Sequence, residues 1–138
     1  MSSSARPSAI HHVALRVADP ERSLRFYNGV LGLPEARRFE EEGRVRSIWL
    51  RAGDAIVMLE RELKGRGEAA GSGHVLVFAV AETAAWEARL AAAGVTIDDR
   101  TAATLYVRDP DGHRVGLSVA LISGGALTLH PIGVRDPP

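Results

Sequence analysis

The order strand, helix, strands runs through this sequence twice, and the second copy follows the first at a nearly constant step. Residues 10–17 (I-H-H-V-A-L-R-V) alternate, with Val13, Leu15 and Val17 on one face and His12, Ala14 and Arg16 on the other. That is the period of a half-buried strand. His74–Val80 (H-V-L-V-F-A-V) echoes it. His12 to His74 is a step of 62, and so is Gly32 to Gly94, each glycine closing a helix. Late in each half the step falls to 58, taking Asp54 to Gly112 and Met58 to Gly116. The second half is therefore expected to be clipped between its second and fourth strands, at Asp99–Ala103. A repeat whose single copy buries its helix and sheet poorly is expected to pair with its neighbour. The fold class is α+β: two tandem βαβββ modules.

Local signals place the elements. Asp19-Pro20-Glu21 opens a helix, with Asp at the N-cap, Pro at the first helical position and Glu where the dipole favours it. Leu24, Tyr27 and Leu31, with Phe26 and Val30, form its apolar stripe. Strands are expected over 35–42, 45–51 and 55–61, turned at Gly43 and Gly53-Asp54. In the last of these Val57 and Leu59 share one face, and Ile56, Met58 and Glu60 the other. In the second half a helix is expected over 83–93, with Trp86 and Leu90 four apart, then strands at 95–99 and 104–108. Asp109-Pro110-Asp111-Gly112 is a tight turn, with Gly112 at a position that takes positive φ. The strand after it sends Val115, Leu117 and Val119 one way and Arg114, Gly116 and Ser118 the other.

The 138 residues suit one compact domain at 9–120, with module one at 9–62, a glycine-rich linker at 63–73 and module two at 74–120. Residues 1–8 read as a disordered lead-in, too short and polar for a signal peptide. Residues 121–138 form an extension in which 126–129 suits a small extra strand, on this chain or on a partner. Seventeen basic and seventeen acidic residues balance to zero, which argues against nucleic acid or an anionic membrane as partner. No cysteine is present, so disulfides and thiolate metal sites are excluded. No apolar run is long enough to span a bilayer, and a cytoplasmic location is expected.

The ordered set H-V-A-L-R-V, D-P-E-R-S-L-R-F-Y-N-G-V-L-G-L, a second strand opening with His, and D-P-D-G-H-R-V-G-L resembles the vicinal oxygen chelate superfamily over 9–120. That group includes glyoxalase I, fosfomycin-resistance transferases, extradiol dioxygenases, methylmalonyl-CoA epimerases and bleomycin-binding resistance proteins. The resemblance implies a mixed sheet curled into a cup, with helices outside, a small molecule inside and subunits pairing as homodimers. It also implies four ligand positions for a divalent metal, on the first and last strands of each module. Carried onto this chain, these are His12, Met58, His74 and Gly116. Met58 and Gly116 depart from the pattern, since a carboxylate is usual at the last position and glycine can be neither ligand nor base.

Neutral imidazole suits divalent metals, so His12 and His74 are the candidate ligands, with Glu60, on the face of Met58, as a third. The plainer alternative for Glu60 is a rim carboxylate paired with Arg61 or Arg51. Two imidazoles alone hold a metal weakly. Met58, Gly116, Trp49, Phe78 and Tyr106 are candidate pocket residues, the aromatics suiting a planar or apolar ligand. Arg16, Arg108 and Arg114 are candidates for holding an anionic group. His113, three residues before Gly116, faces the wrong side or belongs to the turn. Catalytic residues are not identifiable. Two functions follow: a glyoxalase- or dioxygenase-like enzyme using a divalent metal, or a metal-free protein that sequesters a small, partly aromatic compound. Metal-free catalysis is a third, for which the sequence names no base.

Overall fold

The computed structural model describes residues 5–64, 73–123 and 126–128. Most of the expected linker and the end of the tail lie outside them. The chain divides into two compact units, Met1–Arg66 and Gly67–Pro138.

The first unit is a mixed four-stranded sheet in the order β1-β4-β3-β2. It consists of β1 (His12–Arg16), β2 (Glu35–Glu41), β3 (Arg44–Ala52) and β4 (Ala55–Glu60). β1 runs parallel to β4, and the other pairs are antiparallel. The crossover helix α1 (Pro20–Leu24) starts where its signals put it: the Asp19 carboxylate accepts the Glu21 N–H at 3.0 Å, and Pro20 fills the first position. It continues as π-helical turns over Arg25–Val30. There the consecutive Phe26 and Tyr27 are both buried, their rings edge to face at 4.9 Å.

The alternation expected in β4 decides what lies beneath α1. Val57 and Leu59, opposite Leu50 and Ile48 of β3, are buried with Phe26, Tyr27 and Leu31. Arg38 of β2 is on this side too, bonded to Glu35 and to Glu21 of α1 at 2.6–3.0 Å. Burying these seven side chains is worth about 1.5–3 kcal/mol each against exposure, and the alternation of the strands leaves the opposite face of the sheet turned away from the helix.

The second unit repeats the plan, order β5-β8-β7-β6, with β5 (Val75–Ala79), α2 (Ala84–Ala92), β6 (Asp99–Arg100), β7 (Thr104–Arg108) and β8 (Arg114–Ser118). Leu76 and Leu105 flank Val115 and Leu117 across the ladders, with Val107 and Leu90 of α2 in the core. The expected strand at 95–99 shrinks to Asp99–Arg100. Thr101 ends it: its hydroxyl accepts the Ala103 and Thr104 N–H groups and closes a tight turn, and the clip falls here, the Asp109 turn giving back one residue to leave a net loss of four. The Asp109 turn forms as read. The buried Asp109 carboxylate accepts the Asp111 and His113 N–H groups at 2.9 and 2.8 Å, and Gly112 takes φ +90°. Beyond it β9 (Leu121–Ser123) pairs antiparallel with β10 (Ala126–Thr128), so the extra strand at 126–128 is used within the chain.

Candidate functional site

Each unit has a sheet face turned away from its apolar core, and the candidate residues sort by whether they reach it. In the first unit that face carries His12, Ala14 and Arg16 on β1, Ile56, Met58 and Glu60 on β4, Ser47 and Trp49 on β3, and Arg37 and Phe39 on β2. The hairpin register sets Trp49 opposite Met58 and Ser47 opposite Glu60. The Ser47 hydroxyl, 4% exposed, makes a short hydrogen bond to the Glu60 carboxylate and accepts the indole N–H of Trp49 at 3.0 Å. The indole N–H, the buried Ser47 hydroxyl and one Glu60 oxygen each have a partner, and the indole is fixed by its one polar atom. Its ring meets Phe39, centroids 5.3 Å apart and planes at 56°.

Glu60 is therefore partnered by Ser47 and by no arginine among the described residues. Of the two candidate arginines, Arg61 pairs with Glu62 at 3.3 Å and donates from Nε to the Val45 carbonyl, while Arg51 is exposed opposite Ile56, four residues before Glu60 on β4. Arg16, cross-strand neighbour of Glu60, donates from Nε to the Leu63 carbonyl.

His12 is exposed, its Nδ1 3.0 Å from that of His11. It pairs with Ile56, four residues before Glu60 on the same strand, a separation of about 13 Å along the sheet. Ser47 holds the Glu60 carboxylate towards β3, whereas β1 lies on the other side of β4. Ligands of one zinc-like ion each sit about 2.0–2.2 Å from it, and His12 and Glu60 do not converge on that scale. Met58, between them, offers only a soft thioether.

In the second unit the face carries Val75, Val77 and Ala79 on β5, Thr104, Tyr106 and Arg108 on β7, and Arg114, Gly116 and Ser118 on β8. Arg16 opposes Glu60 in the first unit as Ala79 opposes Ser118 in the second. Position 12 thus corresponds to Val75, and His74 lies exposed, one residue before β5. A step of 63 here, rather than 62, turns every side chain over. It also takes Phe78 off this face. Phe78 opposes Leu117 of the core, and Val77, 38% exposed, opposes Gly116.

Gly116 is covered. A Cβ built there would sit 3.1 Å from Val77 Cγ2, 3.2 Å from Tyr106 Cε1 and 3.3 Å from Thr104 Cγ2. Tyr106 is fully buried across the glycine, with the Arg114 guanidinium 3.9 Å from its ring centroid. Arg114 in turn donates to Asp99 at 3.2 Å. Thr104 donates to Ser118 at 2.8 Å, whose hydroxyl accepts the Ala120 N–H. The Tyr106 hydroxyl is buried beside the Thr104 side chain, without a partner of good hydrogen-bond geometry. Burial pushes its pKa up, and the positive charge of Arg114 opposes that shift. Arg108 reaches Asp98 and the Gly112 carbonyl, and His113 contributes its backbone to the Asp109 turn.

The donors present do not fit a divalent metal. Among the described residues no three of His, Cys, Asp and Glu are grouped to hold one, and the positions that would complete such a set are a methionine and a glycine roofed by a tyrosine. What the first unit does assemble is an aromatic wall with a fixed indole.

The profile of the Glyoxalase/Bleomycin resistance protein/Dioxygenase superfamily matches residues 9–117. No curated protein matches. Among solved structures, TioX from Micromonospora sp. ML1 is 25% identical, over 80% of this chain and 98% of that one, with a TM-score of 0.65. TnmS3, an antibiotic binding protein from Streptomyces sp. CB03234, is 20% identical over 83% and 98%, with a TM-score of 0.66. Lactoylglutathione lyase from Agrobacterium tumefaciens is 20% identical over 83% and 95%, with a TM-score of 0.64. At 20% identity these last two speak for the fold alone.

Proposed function

The chain belongs to the Glyoxalase/Bleomycin resistance protein/Dioxygenase superfamily, and we propose that it is a metal-independent binder of small planar aromatic molecules. The observation that carries this reading is the chain Trp49–Ser47–Glu60. It spends the polar atom of the indole on the protein, so the ring face beside Phe39 and Met58 is what remains to meet a ligand. A wall held in one orientation binds without paying to order it, which is how preorganisation raises affinity. Offset or tilted stacking then adds about 0.5–1.5 kcal/mol per aromatic pair beyond the area buried. Glu60, read from sequence as a metal ligand, acts here through Ser47 to hold Trp49. A homodimer in the cytoplasm is part of the same proposal, tested by light scattering and cell fractionation.

The family's metal chemistry is not assigned to this chain. Its support would be three convergent donors and an open position, and His12, Met58, Glu60 and Gly116 do not supply them.

The reading is tested by titrating planar heteroaromatic compounds, quinoline and acridine derivatives first, into wild type, Trp49→Ala and Ser47→Ala. Wild type is expected to retain them, Trp49→Ala to weaken binding about tenfold or more, as loss of a stacked aromatic does, and Ser47→Ala to weaken it less. Equal affinity in all three proteins would remove the wall from the site and the reading with it.

A further inference from the structure

The aromatic wall already has an occupant. Arg37, exposed on the edge strand β2, sets its guanidinium carbon 4.7 Å from the Phe39 ring centroid and 6.0 Å from that of Trp49. Its neighbour Arg38 points to the other face and is clamped by Glu35 and Glu21. Among the described residues no carboxylate pairs with Arg37 in the same way; its contact is with the two rings.

A guanidinium is planar, delocalised and weakly hydrated, and aromatic faces attract cations through their quadrupole. The protein's own side chain thus reports what the wall accepts: a flat cation on Phe39 and Trp49. We infer that the Phe39–Trp49 wall is a subsite for planar organic cations, which Arg37 fills in the absence of ligand and yields when one binds. Arg37 is then a specificity-determining residue, an internal competitor that only a ligand with better stacking displaces. The inference rests on the binding function proposed above and adds the charge class of the ligand.

The test uses the full chain and two probes of one shape, N-methylquinolinium and 1-methylnaphthalene, the second lacking only the charge. Equilibrium dialysis gives the affinity of each for wild type and Arg37→Ala, with circular dichroism to confirm that the variant is folded. The cation is expected to bind wild type about three- to thirtyfold more tightly than its neutral isostere, the range of a cation–aromatic contact. Arg37→Ala is expected to tighten the cation by about two- to fivefold, the worth of an exposed contact of this kind. Equal binding of the two probes, or a cation affinity unchanged or weakened in Arg37→Ala, overturns this inference and leaves the binding function standing. Absence of binding by either probe to either protein overturns both.

Discussion

Gly116→Ala is the substitution whose effect the structure constrains most closely. The added Cβ meets three atoms at 3.1–3.3 Å, each tighter than an ordinary contact. Val77, 38% exposed, can turn its methyl away. Tyr106 cannot: its ring is fully buried with Arg114 stacked on it. The Thr104 methyl is held by the bond from its hydroxyl to Ser118. Two of the three neighbours are therefore fixed, and overpacking of this kind costs about 1–3 kcal/mol. For a domain of this size that lowers Tm by roughly 3–5 °C per kcal/mol. Denaturant unfolding of wild type, Gly116→Ala, Tyr106→Ala and the double variant closes a cycle. Truncating the ring should remove most of the glycine penalty, giving a favourable coupling of about 1 kcal/mol or more. Additive effects, or a Gly116→Ala protein as stable as wild type, would refute the account of a glycine required by the tyrosine that covers it. Gly116→Glu should be worse still, since it adds a carboxylate to the same closed space.

Tyr106→Phe should be neutral or stabilising by up to about 1 kcal/mol, because it deletes a buried hydroxyl whose contact with the Thr104 side chain falls short of good hydrogen-bond geometry. Burial raises the Tyr106 pKa, so the fold favours the neutral phenol. That contribution is complete below the unfolded value of about 10 and is lost as pH rises through the folded one; alkaline unfolding should be blunted in the same variant. At the acid end, the hydrogen bond from Arg38 lowers the Glu35 pKa. Its contribution is present above about 4.3 and lost as pH falls through the folded value, so Glu35→Gln should flatten the acid limb of a stability–pH profile. Asp109→Ala should cost about 2–4 kcal/mol, since one buried carboxylate accepts the Asp111 and His113 N–H groups. Asp109→Asn should recover part of that in the same unfolding assay.

The repeat, the helix start at Asp19 and the turn at Asp109 were legible because each is a local signal with a local cause. Register was less so. The two-residue turn Gly53-Asp54 places Ala52 opposite Ala55, and equal steps outward from it bring Trp49 to Met58 and Ser47 to Glu60. The Ser47–Glu60 pairing is thus legible by counting along the hairpin, whereas serine carries no charge to mark it as a carboxylate's partner. The second unit misled for a physical reason. Its helix keeps the 62-residue step of Gly32 to Gly94, while the ladder against β8 puts Val75, not His74, in the position of His12. One residue is enough to send Phe78 to the core and leave Val77 on the open face. Arg37 and Phe39 carry no motif; they meet Trp49 only because β2 is paired to β3.

In the proposed function, binding depends on a fixed aromatic wall and on no metal. Its most direct measurement is the affinity of one planar aromatic cation, N-methylquinolinium, for the full chain before and after exhaustive chelation, with the metal content of both samples determined by elemental analysis. The same affinity is expected in both samples, with no stoichiometric metal in the first. An affinity lost with the metal and restored by adding it back would contradict the account.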